Sequence, residues 1–176
     1  DKLEYNIFQC EVNPFGILFH PLAIETLISR AINKDYYSEH ELVFQNEQWS
    51  CLDAHSKLND TSKTQLLQNL NSALDQTYDA LKEVTHVVIT LGTSWVYRFL
   101  ETDELVANCH KLPQKKFVKE LLSVDEINQS LCATVELIRS INPSVNFIFT
   151  VSPVRHTKDG FIENTQSKAH LIAAIH

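Results

Sequence analysis

The 176 residues contain no methionine and only three glycines, at positions 16, 92 and 160. Average usage would place about twelve glycines in a chain of this length. Each of the three is therefore expected to mark a turn with positive φ or a close backbone approach, in Asn13-Pro14-Phe15-Gly16, Leu91-Gly92-Thr93-Ser94 and Lys158-Asp159-Gly160. No apolar run approaches the ~18 residues of a membrane span, and no charged-then-apolar leader opens the chain. A basic excess is also lacking. The formal net charge of -7 argues against a nucleic-acid partner, because phosphate binding needs a basic stripe. Lys115, Lys116 and Lys119 make the only basic cluster and read as a solvated surface loop. The four cysteines, Cys10, Cys51, Cys109 and Cys132, form no CxxC pair, so reduced thiols and a cytoplasmic home are expected. A chain that opens at Asp1 without methionine reads as a piece of a longer gene product.

Hydrophobic residues at 44% and charged residues at 21% suit a single domain with a substantial core. Val87 to Leu91 is a run of apolar and β-branched residues that stops at Gly92 and delivers Thr93, Ser94 and Trp95. Val145 to Val151 is built the same way and ends in Ser152, Pro153, Val154, Arg155 and His156. Both read as strands buried on two faces, and ligands in open α/β sheets sit beyond the carboxyl ends of such strands. One shared site is expected there.

The other elements follow from periodicity. Residues 5 to 12 alternate as a short strand, and Asn13 to Gly16 reads as a turn. A helix is expected from Pro21, with Leu22, Ile24, Leu27, Ile28 and Ile32 on one stripe, and residues 41 to 52 suggest a small hairpin. Residues 62 to 82 repeat leucine at three and four, with Ser62 as cap. Thr102 and Asp103 read as a turn between two short strands, which returns Asn108, Cys109 and His110 toward the sheet end. A helix over 124–141 is stopped by Asn142-Pro143, and a last helix runs from about Asn164. Alternating helices and buried strands predict an α/β fold with three layers, α/β/α, around a mostly parallel sheet.

His55, His110 and His156 stand where this architecture places ligands, and histidine can act there as base, donor or metal ligand. Nucleophilic chemistry would draw on Ser94, Ser152 or Cys109 with His110 or His156 as base, yet no Gly-x-Ser-x-Gly elbow presents a serine. Asp53, His55, Cys109, His110 and His156 match no zinc spacing, so neither a metal nor another cofactor is expected. Arg155 suits a carboxylate or other anion.

Five ordered motifs carry a resemblance: Asn13-Pro14-Phe15-Gly16, the Trp49 to Ser56 segment, Leu91 to Tyr97, Asn108-Cys109-His110-Lys111, and Ser152-Pro153-Val154-Arg155-His156. In order and spacing they resemble the bacterial GSCFA family, which is grouped with the SGNH (GDSL-like) hydrolases of flavodoxin-like fold. The resemblance implies a serine esterase acting on an acyl ester, such as an acylated carbohydrate. Gly16 then corresponds to the second-strand oxyanion glycine, and Gly92 to Trp95 to the third-strand Gly-x-Asn-Asp. Ser94 stands where asparagine is usual and Trp95 where aspartate is usual. Asn13, His55, Gly92, Trp95, Asn108, His110, Arg155 and His156 would line the pocket. The nucleophile motif would precede Asp1 and the Asp-x-x-His would follow His176, so the fold is expected to be incomplete at both ends and this chain alone inert. A non-catalytic carbohydrate- or acyl-binding module on the same scaffold is the alternative, motivated by the departures at Ser94 and Trp95.

Overall fold

The computed structural model describes residues 11–155 and 160–176. The expected strand at 5 to 12 falls mostly outside them and His156 lies outside them; Glu11 and Val12 belong to no strand. Asn13 opens a turn in which its Oδ1 accepts the Phe15 N–H at 2.9 Å and its carbonyl accepts the Gly16 N–H at 3.1 Å, with Gly16 at φ +85°. Helix α1 (Pro21–Asn33) follows, with proline in the first turn, where its missing N–H costs nothing. His20 caps it: Nδ1 accepts the Ala23 N–H at 3.1 Å, while Nε2 lies 3.2 Å from the Val106 carbonyl. A carbonyl only accepts, so the proton is on Nε2.

Strands β1 (Leu42–Gln45) and β2 (Gln48–Cys51) form the expected hairpin. Its two turn residues, Asn46 and Glu47, both take positive φ, matching the right-handed twist of the strands. Helix α2 (Lys63–Glu83) is capped by Ser62, whose hydroxyl accepts the Gln65 N–H, and buries Leu66, Leu70 and Leu74. Strand β3 (His86–Leu91) runs parallel to β7 (Asn146–Val151), joined through β4 (Trp95–Phe99), β5 (Glu104–Val106), β6 (Phe117–Leu121) and α3 (Val124–Ile141). Helix α4 (Phe161–Ile175) closes the described chain and begins three residues before the expected start.

The molecule is thus mixed α/β, with a parallel β3–β7 pair and two antiparallel sheets, and is compatible with the three-layer arrangement. Two local expectations are corrected. The lysine cluster is no loop: Gln114–Lys116 makes one 3-10 turn and Lys119 lies in β6, which pairs with β4 over Trp95 to Phe99. Cross-strand pairing outweighed the polarity of the segment. The β3–β7 pair is also not buried on both faces among the described residues. Ile89 and Leu91 pack with Phe149 and Val151 against Ile127, Leu131 and Leu171 of α3 and α4. On the other face Val88 is 61% and Ile148 46% exposed, and the Thr90 and Thr150 hydroxyls share a 2.8 Å hydrogen bond. Hydrophobic β-branched sequence marks a strand but cannot by itself say how many faces are covered.

Helix α1 packs on α2 and α3, and α3 packs on α4. Ser123 and Glu126 form a reciprocal capping box at the start of α3. At its end the Asn142 side-chain amide donates to the Leu81 and Val84 carbonyls, which fixes the exit of α2 just before β3. Among the described residues no helix is long and apolar enough to cross a membrane. Leu171 is fully buried beneath β3, so Leu171→Ala is expected to lower the unfolding free energy by about 2–5 kcal/mol; urea denaturation followed by circular dichroism measures it.

Candidate functional site

The loop that leaves β3 is knitted into the protein. Gly92 and Thr93 both donate their N–H groups to the Phe19 carbonyl, at 2.8 and 3.0 Å. Ser94 donates its N–H to the Ser167 hydroxyl at 2.8 Å, and its own hydroxyl lies 3.2 Å from the Ser167 carbonyl and 3.1 Å from the Ser167 hydroxyl. Trp95 donates its N–H to Thr93 Oγ1 and its indole N–H to the Glu163 carbonyl. A β-carbon on Gly92 would sit 3.1 Å from the Phe19 ring and 3.2 Å from its carbonyl oxygen, which is the close approach its glycine implies.

This geometry gives Ser94 a structural contact that the sequence does not show. The side chain is fully buried and its donors are engaged by α4, so in this structure it is a clamp between the loop and the helix, with no free donor for an oxyanion. Gly16 meets a similar objection, because its N–H is held by the Asn13 carbonyl. The Cys109 thiol is pushed up to about 11 by burial, so it is not a ready thiolate. Ser152 Oγ is occupied in accepting the Val154 N–H.

Four of the candidates, Gly16, His55, Asn108 and His110, do converge. Gly16 packs against His55 so closely that a β-carbon would lie 2.6 Å from His55 Cβ, and the His55 N–H donates to the Phe15 carbonyl at 3.0 Å. His55 Nδ1 in turn accepts the Lys57 N–H and caps the 3-10 turn Ser56–Leu58. His110 joins this corner from the loop after β5. The Asn108 N–H donates to the Leu52 carbonyl, Asn108 Oδ1 accepts the His110 N–H, and His110 takes φ +45°. His110 Nε2 then lies 2.7 Å from the Cys51 carbonyl and 2.9 Å from the Ala54 carbonyl.

Neither carbonyl can donate, so Nε2 carries the proton and Nδ1 keeps its lone pair. Burial lowers the His110 pKa and the neighbouring His55 adds to the shift, against the pull of the two carbonyls, so the ring stays neutral. Nδ1 is buried without a hydrogen-bond partner among the described residues. A buried acceptor left unmatched is costly, and it is suited to take a hydroxyl or amide proton.

Sequence reasoning overlooked Lys168 and the partners that surround Asp53. Lys168 on α4 turns its Nζ to the Gly92 carbonyl; the signal available was that it is the one lysine or arginine of α4. Asp53 belongs to a network with Arg30, Tyr37 and Glu41. Tyr37 OH donates to Asp53 at 3.3 Å, Arg30 pairs with Glu41, and the Arg30 guanidinium carbon lies 4.2 Å from the Tyr37 ring centre. Burial pushes the Asp53 carboxyl up, opposed by Arg30 and Tyr37. A cleft of about 390 Å³ beside this network is lined by Leu22, Val43, Leu52, Asp53, Glu104 and Val106 among others. Arg155 is exposed beyond β7. No three His, Cys, Asp or Glu side chains gather into a metal-sized group among the described residues.

A mixed α/β chain with its polar loops at the carboxyl end of a parallel pair defines the class. The particular family follows from a match of the GSCFA family model to residues 1–176: the chain belongs to the GSCFA family. No curated protein and no solved structure matches it.

A histidine held neutral in the fold binds fewer protons than its unfolded counterpart once the pH drops below about 6.5. The stability His110 contributes is therefore present above that pH and declines as pH falls through it. At neutral pH, the ¹⁵N resonances of His110 are expected to show a protonated Nε2 and an unprotonated Nδ1. A doubly protonated ring at that pH would contradict the assignment.

Proposed function

We propose that this chain forms the central part of an SGNH-type hydrolase that cleaves acyl esters, an acylated carbohydrate being one candidate class. The serine nucleophile and the Asp-x-x-His come, in this reading, from sequence flanking these 176 residues. The observation that carries it is the lone pair of His110 Nδ1, buried, unmatched and fixed in tautomer at the corner where Gly16 and His55 meet. An acceptor of that kind can hold the proton of a substrate or water hydroxyl and orient it toward an ester carbonyl. Asn108 acts as a positioning residue, since its Oδ1 holds the His110 backbone.

The binding-module alternative has its own support in the engaged N–H groups of Gly16 and Ser94, which leave these two amides no donor for an oxyanion as the structure stands. The two readings separate in one experiment. The chain together with its natural flanking sequence is offered p-nitrophenyl acetate and a fluorophosphonate probe. Hydrolysis with serine labelling is expected, with His110→Gln lowering kcat by about 10²–10⁴-fold. Ser94→Ala is expected to retain labelling, because Ser94 is a clamp and not the nucleophile. Binding of an acyl ligand with neither labelling nor turnover would establish the module instead.

A further inference from the structure

The carboxyl ends of β3 and β7 carry two cations that have no carboxylate partner among the described residues. Lys168 is half-buried on α4, and its ammonium reaches the carbonyl of Gly92, the residue that follows β3. The one acidic residue of α4, Glu163, turns its carboxylate back against Gly160. A lysine offers three donors, and a single neutral carbonyl leaves a partly desolvated ammonium short of both acceptors and counter-charge. That loss of water lowers the Lys168 pKa.

Arg155 stands four residues beyond the last residue of β7, with its guanidinium carbon 5.6 Å from the centre of the Phe161 ring. An aromatic face steadies a guanidinium without using up its N–H donors. Phe161 and Lys168 are seven residues apart on α4, close to two turns, and so lie on one stripe about 10 Å long. Both side chains therefore approach the same stripe of α4, from the β3 and β7 sides of the strand ends.

We propose that Lys168 and Arg155 form an anion subsite at the carboxyl end of the β3–β7 pair, which takes a carboxylate or phosphate group of the ligand. It does not rest on the esterase reading. Phosphate binding without turnover would support it, and ester turnover without saturable anion binding would leave hydrolysis standing while removing the subsite.

The test is a ¹H–¹⁵N titration of the protein with inorganic phosphate, and separately with acetate, at constant ionic strength set by chloride. Saturable shifts at the Gly92 and Thr93 amides are expected with at least one of the two anions. Lys168→Gln keeps an N–H donor for the Gly92 carbonyl but removes the charge, and Arg155→Gln changes an exposed side chain, so both variants should fold as judged by circular dichroism. Each is expected to weaken anion binding by at least about tenfold. No saturable shift in the parent protein, or unchanged affinity in either variant, overturns the proposal.

Discussion

The Ser167 hydroxyl is the contact on which the arrangement at the sheet end depends. Three groups converge on it from one turn of chain: the Ser94 N–H, the Ser94 hydroxyl and the Thr93 hydroxyl. The buried Ser94 N–H has no other partner and would be left uncompensated without it, at roughly 1–3 kcal/mol. The turn after β3 can therefore be buried only while α4 is docked, and α4 docks by filling the hydrophobic space under β3 with Leu171. Polar satisfaction and apolar packing fix the same helix in the same place. The Phe19 carbonyl does the equivalent on the other side, accepting from Gly92 and Thr93 and so binding the segment that leads into α1.

Much of this was legible in residue order. The helices at 21–33, 63–83 and 124–141 announced themselves by leucine and isoleucine spacing and by Pro21, Ser62 and Asn142 at their ends. The two strands of the parallel pair were evident as apolar runs closed by polar turns. Strand β6 was not, because Phe117 to Leu121 carries two charges and owes its pairing to β4, a partner about twenty residues away. Which faces of β3 and β7 are covered was equally hidden, since coverage belongs to the packing of other elements.

At the candidate site the sequence named residues that meet, but not how they are held. Gly16, His55, Asn108 and His110 do meet, but through backbone contacts that no motif encodes: His110 is seated by the carbonyls of Cys51 and Ala54. Ser94 looked like a donor at a strand end and is instead consumed by a helix more than seventy residues later. A hydroxyl in a motif says what chemistry is available; whether it is free depends on which neighbours have claimed it.

His20 shows how closely such claims can be coupled. One nitrogen of its ring holds the first turn of α1 and the other ties that turn to β5 through Val106, while burial holds its pKa below the ordinary histidine value. A second proton on the ring would turn the capping acceptor into a donor facing the Ala23 N–H, and the helix start would lose its cap in a single event. Loss of that cap would loosen the entry to α1 beside Phe19, whose carbonyl holds the turn that follows β3.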